Sequence, residues 1–244
     1  MAVVVPAHDE QASVGRAVEA VRLAAGHPSL AGVEVRTVVV ADWCSDATAR
    51  VAERAGARVV TGRFRNAGRA RAHGVDVALR ELGADGTGTG DDGLWIASTD
   101  ADSTVEPDWL ARQAARARQG WEAFVGTVEV DHWPPHRARL AALHLSRYEA
   151  SRPATGVEWR HPHVHGANLG VAADAYRHVG GFPPLPVGED HALVGALESA
   201  GHRVLRTAEC PVLTSGRLRA RAAGGFGDHL ARLASECSGP APAV

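Results

Sequence analysis

The chain has 244 residues with 26 Lys plus Arg against 28 Asp plus Glu, a net charge of −2, and it contains no lysine, so all 26 are Arg. Without an ammonium side chain, a Schiff-base enzyme and a P-loop of the GxxxxGK[ST] type are both excluded. The near-neutral charge argues against a nucleic-acid binder, and 45% apolar with 22% charged residues are globular values.

The run Ala2-Val3-Val4-Val5 reads as a first strand ending at Pro6. Val14, Val18, Val21 and Ala25 then recur at helical spacing. Residues 33–41 read as a buried strand, 46–55 as a helix closed by Gly56, and 57–60 as a short strand. Val75, Ala78, Leu79 and Leu82 form one face of a helix that starts near Gly68, and 94–98 is a fourth strand. The Gly-rich segment 83–93 reads as a flexible loop; its GxGxG precedes a strand instead of opening a helix, so it is no dinucleotide fingerprint. Pro107 suits the first turn of the next helix and Gly120 its end.

The second half is less regular. Residues 123–131 read as a strand, 136–150 as a helix with Leu140, Leu143 and Tyr148 inward, 189–200 as a helix and 202–206 as a late strand. The Arg- and Gly-rich stretch 217–227 reads as mobile, able to close as a lid, and 238–244 as a disordered tail. No apolar stretch approaches the roughly 18 residues of a membrane span, and no signal-peptide pattern is evident. Cys44, Cys210 and Cys237 form no metal pattern and read as reduced thiols, which points to a cytoplasmic chain.

Strands alternating with helices predict an α/β fold, a mostly parallel sheet covered on both faces, with ligands bound beyond the carboxyl ends of the strands. His8-Asp9-Glu10, Asp42 to Asp46 and Asp100-Ala101-Asp102 each follow a strand. Carboxylates gathered at one sheet edge repel one another unless a cation or hydrogen-bond donors offset them. Two of them at i and i+2 after a strand, Asp100 and Asp102, suit a hard divalent ion such as Mg²⁺ or Mn²⁺, although the same pattern also occurs in plain turns. His161-Pro162-His163-Val164-His165 lacks further ligands in a zinc pattern and reads as a polar loop beside a pocket.

These motifs in this order resemble the family 2 glycosyltransferases of the GT-A fold. The resemblance rests on Val3 to Glu10, Val38 to Thr48, Asn66 to Gly74, Asp100-Ala101-Asp102, Gly166 to Val171, Val179 to Phe182 and Gly188-Glu189-Asp190. It implies one GT-A domain over residues 1–237, with a Rossmann-like nucleotide-sugar half (1–120) and an acceptor half (121–237). It further implies a nucleoside-diphosphate-sugar donor, an Mg²⁺ or Mn²⁺ cofactor, and inverting transfer to an acceptor hydroxyl. Asp42 would contact the base, and Pro6, Ala7 and Glu10 would line the nucleoside. Arg71 would lie against base or diphosphate, Asp100 would reach the ribose or the metal's water shell, and Asp102 would ligate the metal. Arg217 would pair with the diphosphate. Asp190 would act as general base, with Gly166, Asn168 and Glu189 on the acceptor side. His191 and His229 are candidates for a late metal ligand, and the sequence does not choose between them. The chain lacks the Gln-x-x-Arg-Trp of processive synthases, which implies a non-processive enzyme without a membrane span; peripheral membrane contact stays open. Trp43-Cys44, His73 and His8-Asp9 depart from the family pattern. A sugar nucleotidyltransferase, or a non-catalytic binding protein on the same fold, is the alternative.

Overall fold

The computed structural model describes residues 1–83, 93–155, 157–221 and 224–237; the expected Gly-rich loop, apart from its two ends, and the expected disordered tail lie outside these residues. The opening run forms β1 (Ala2–Ala7), which is buried on both faces because nearly every position is apolar. It lies between β2 (Arg36–Asp42) and β4 (Trp95–Ser98), parallel to both. β3 (Arg58–Gly62) extends the sheet beyond β2, again in parallel. The crossovers are α1 (Val14–Ala25), α2 (Thr48–Arg54) and α3 (Ala67–Glu81). Asn66 caps α3, its side-chain oxygen accepting from the Arg69 N–H at 2.8 Å.

After α4 (Trp109–Arg118) the pattern changes. β5 (Ala123–Val130) and β6 (Leu169–Ala172) are antiparallel to each other, and β6 is also antiparallel to β4. Between them lie α5 (Ala138–Tyr148) and a long irregular segment. α6 (Ala173–His178), α7 (Glu189–Ser199), β7 (Val204–Thr214) and α8 (Phe226–Cys237) complete the chain. The sheet order is β3-β2-β1-β4-β6-β5-β7.

Strand alternation divides the core between two faces. Val3, Val5, Val39 and Ala97 pack with Val14, Val18, Val21, Trp109 and Leu110 on the side of α1 and α4. Val4, Val38, Val40 and Ile96 pack with Val75, Leu79, Leu193 and Leu197 on the side of α3 and α7. Each such fully buried aliphatic side chain contributes about 1.5–3 kcal/mol.

Three expectations need correction. The late strand is β7 and runs on to Thr214, well past Arg206. Pro211 is tolerated because β7 is an edge strand and its pairing with β5 shifts register next to that residue. α6 was not expected. The 217–227 stretch is not loose throughout: Arg217 and Arg221 are held by Glu10, and Phe226 already begins α8, whose Leu230 and Leu233 are buried. Among the described residues no helix is long and apolar enough to cross a membrane.

Candidate active-site cleft

The carboxyl ends of β1, β2 and β4 and the start of α7 open into one cleft of about 1030 Å³. That is the size of a site for a ligand of several rings. Asp42, the last residue of β2, is buried there. Its two oxygens accept from the backbone N–H groups of Phe64 (2.6 Å) and Asn66 (3.3 Å), which fixes the turn leading into α3. Trp43 follows with φ of 54°, an unusual conformation for a bulky residue. Its half-exposed ring lies under the guanidinium of Arg65 at 4.1 Å. Asp9 has φ of 51° and accepts from the Ser45 N–H at 2.7 Å, which holds its carboxyl below the usual range.

Past β4, the Asp100 carboxylate faces Arg71 and the Asp102 carboxylate faces Arg217 Nη2 at 3.0 Å. Burial, reinforced by the charge of Asp100 and opposed by Arg217, pushes the Asp102 carboxyl up to about 6. Arg217, just beyond β7, also reaches Glu10 Oε1 at 2.5 Å, and the other oxygen of Glu10 accepts from the Ser13 hydroxyl at 2.8 Å. Arg217 thus links the ends of β1, β4 and β7. Among the described residues, Asp9, Cys44 and Asp46 are the group whose ligand atoms lie within 4.8 Å of one another; Asp100 and Asp102 are not in it.

Arg71 lies at the floor of the cleft. Its side chain is only 6% exposed. Nε donates to Glu189 Oε1 (2.9 Å), Nη1 to Ser98 Oγ (2.8 Å) and Nη2 to Asp100 Oδ1 (2.7 Å). It is a buried strut joining β4 to α7, and the two carboxylates raise its pKa against the opposing effect of burial. Glu189 is likewise committed beneath the cleft. Gly166 is required for this arrangement, since a Cβ there would sit 2.4 Å from Arg71 Nη2.

Gly188, at φ of 79°, turns the chain into α7 so that Glu189 goes inward while Asp190 faces the cleft. Asp190 accepts from the Gly166 N–H and the His191 N–H, both at 2.8 Å. These two donors orient it while leaving lone pairs for a ligand.

Asn168 is the expected site residue that does not line the cleft. It is fully buried, accepts from Trp109 Nε1 (2.9 Å) and donates to the carbonyls of Thr127 (2.8 Å) and Cys210 (2.7 Å). It is a core clamp, and its acceptor-side role is corrected accordingly. Pro6, Ala7, Glu10, Asp42, Asp100, Asp102, Gly166, Asp190, His191 and Arg217 all line the cleft, as do Arg71 and Glu189 at its floor.

The His161–His165 segment divides. His163 and His165 line the cleft, whereas His161 is fully buried, its Nε2 within 3.1 Å of the Val125 carbonyl and 3.0 Å of the Thr207 carbonyl. Tyr148, His144 and Phe226 also line the cleft. For Tyr148 the sequence carried only an inward-facing position, and for His144 and Phe226 no sign of facing a cleft, because tertiary packing alone brings the three together.

Solved structures with this architecture include a mannosyltransferase from Pyrobaculum calidifontis in complex with GDP-Man and Mn²⁺, at 20% identity and a TM-score of 0.62. The match covers 99% of this chain and 65% of the mannosyltransferase's length. TarS of S. aureus in complex with UDP matches at 16% identity, TM-score 0.57, covering 96% of this chain and 69% of TarS. Glucosyl-3-phosphoglycerate synthase from Mycobacterium tuberculosis, in complex with Mn²⁺, UDP and phosphoglyceric acid, matches at 19% identity, TM-score 0.55, covering 100% of this chain and 80% of the synthase. No curated protein sequence matches significantly. These likenesses establish the GT-A fold. The sequence profile described as glycosyltransferase like family 2 matches residues 1–218, and the chain therefore belongs to that family.

Proposed function

We propose that the chain transfers a sugar from a nucleoside diphosphate sugar to an acceptor hydroxyl, inverting the anomeric centre, without processive elongation. The observation that carries this reading is the convergence of Asp42, Asp100 and Asp102 from parallel strand ends with Asp190 from α7 in one cleft. Further support comes from neighbours whose complexes hold GDP-Man with Mn²⁺, or UDP.

The residues fit a divalent cation. Asp102 is pushed up to about 6, first by burial and then by the neighbouring charge of Asp100, against the opposing Arg217; a bound cation would relieve both effects. The available donors are hard carboxylate oxygens, which suit Mg²⁺ or Mn²⁺. Asp102 would hold the ion with Asp100 beside it; His191, next to Asp190, and His229, packed against Phe226 and His144, both line the cleft and are the candidate late ligands. Such an ion, when bound, stabilises the charge on the leaving diphosphate.

The chain's own groups supply the rest. Pro6, Ala7, Trp43 and Asp42 line the nucleoside end, and Arg217 supplies a planar cation for phosphate oxygens. Asp190 removes the acceptor proton as the hydroxyl oxygen attacks the anomeric carbon opposite the diphosphate, and the orienting N–H donors hold its carboxylate in place for that role. The three free cysteines support a reducing, cytoplasmic setting.

Calorimetric titration with UDP and GDP, with and without Mn²⁺, tests the reading. Binding of one nucleotide strengthened by metal is expected, and Asp102→Ala should remove the metal dependence. Absence of nucleotide binding in the presence of metal overturns the proposal.

A further inference from the structure

A second group of titratable side chains stands at the edge of the sheet opposite the cleft. β4 and β5 are both antiparallel to β6 and so run the same way, which puts the start of β5 away from the end where β4 opens into the cleft. Glu122, just before β5, His178, the last residue of α6, and His202, in the turn before β7, meet there. None of the three lines the cleft.

The carboxylate is anchored on every side. The Glu122 N–H donates to the Arg203 carbonyl at 2.9 Å, and its carbonyl accepts from the Ala172 N–H at 2.8 Å. Its Oε2 accepts from the Arg203 N–H at 2.7 Å, and Oε1 lies 2.8 Å from Nδ1 of His202. The Arg203 N–H, and then the His202 ring, hold the Glu122 carboxyl below the usual range. The Arg203 guanidinium is engaged elsewhere, by the Gln119 carbonyl at 3.3 Å and the Trp121 ring at 4.8 Å. An ionised carboxylate only accepts, so His202 Nδ1 carries the hydrogen and Nε2 of the neutral ring keeps its lone pair. That nitrogen lies 2.9 Å from Nδ1 of His178, with the two rings at 78°. The His202 side chain is only 12% exposed, whereas His178 is exposed at the end of its helix. Asp174, at i−4 on α6, shares the helix face of His178 and adds negative charge there.

A carboxylate behind one nitrogen of an imidazole fixes the ring so that the other nitrogen can ligate a metal. Here one hydrogen bridges two such nitrogens. A tetrahedral ion in its place holds them about 3.3 Å apart, given metal–nitrogen bonds of about 2.0–2.1 Å. The opening of about 0.4 Å falls to the exposed His178 ring. The displaced hydrogen moves to the other nitrogen of His178, so both rings stay neutral. Imidazole suits zinc, nickel or copper, in contrast to the hard ions that the carboxylates of the cleft suit.

We propose that His178 and His202 form a second metal site, for Zn²⁺ or an ion of similar softness, with Glu122 as the orienting carboxylate and water completing the coordination. The proposal is independent of the reaction in the cleft. Calorimetric titration of the full chain with Zn²⁺ at pH 7.5, after dialysis against a chelator, tests it. The expected result is one site that His178→Gln and His202→Gln each weaken at least tenfold. Glu122→Gln should weaken it about tenfold. Cys44→Ser, a control for the Asp9, Cys44 and Asp46 group, should leave it unchanged. Mg²⁺ in about hundredfold excess should not displace the zinc. In the unsubstituted chain, imidazole NMR should show the His178 and His202 rings changing together at one equivalent of Zn²⁺, a readout that needs no variant to fold. Zinc binding that survives both histidine substitutions, displacement by Mg²⁺, or an absence of zinc binding overturns the proposal.

Discussion

The two sides of the cleft are built by different means. On the donor side the acidic groups stand at the ends of parallel strands, so the backbone of the sheet decides where Asp42, Asp100 and Asp102 lie. On the opposite side the wall is assembled from side chains of two helices and an irregular segment, and ring packing decides its shape. The first arrangement tolerates little change in geometry. The second can vary residue by residue while the scaffold stays the same, which is where specificity is expected to reside.

Substitutions can break or sharpen this contrast. The largest effect is expected at the junction. Asp190→Asn should lower kcat about 10³-fold, while the nucleotide Kd from calorimetry stays within about twofold. If the Kd moves and kcat does not, Asp190 belongs to the donor side. Arg71→Leu should cost about 3–5 kcal/mol in urea unfolding, because Glu189 and Asp100 are left without their counter-charge. Removing Glu189 as well, in Arg71→Leu with Glu189→Leu, should recover part of that loss. A negligible effect of the single change would show that the two sides are not braced through this residue.

Asn168→Leu should destabilise by about 2–3 kcal/mol, since the Trp109 N–H and two carbonyls lose their partner. Its effect on acceptor affinity should be smaller than that of Phe226→Ala; the reverse order would return Asn168 to the acceptor site. The smallest effect concerns pH. The folded pKa of His144 lies below its unfolded value, so below about 6.5 the unfolded chain takes up a proton that the native ring does not. Stability is then lost progressively as pH falls from about 6.5 towards about 4. His144→Phe should make that decline shallower, by on the order of 2 kcal/mol across the window. Urea midpoints measured at several pH values check this, and an unchanged slope would mean the ring is charged in the native state.

Legibility in the sequence follows the same division. β1 to β4 and their helices were readable because buried parallel strands are continuous apolar runs and their crossovers carry a 3.6-residue pattern. The acidic residues after those strands were readable for the same reason. α8 carried a usable signal in the spacing of Phe226, Leu230 and Leu233, but the Arg- and Gly-rich stretch before it hid the start. The full length of β7 was obscured by Pro211, which only its edge position permits. The roles of Arg71 and Asn168 were not legible at all. Whether a polar side chain faces a ligand or is used up by the protein depends on contacts more than 25 residues away in sequence, such as Arg71 with Ser98 and Glu189.

Arg217 shows what such distant contacts do to ligand binding. It arrives from just past the last strand to neutralise carboxylates that follow the first and fourth. It is therefore a counter-ion on a tether, held at an effective concentration that dilution cannot change and that salt can only screen. A soluble cation approaching Asp102 competes with this resident charge. Its affinity is set by the difference between two neutralised states of the pocket, with the end of β7 holding one of them.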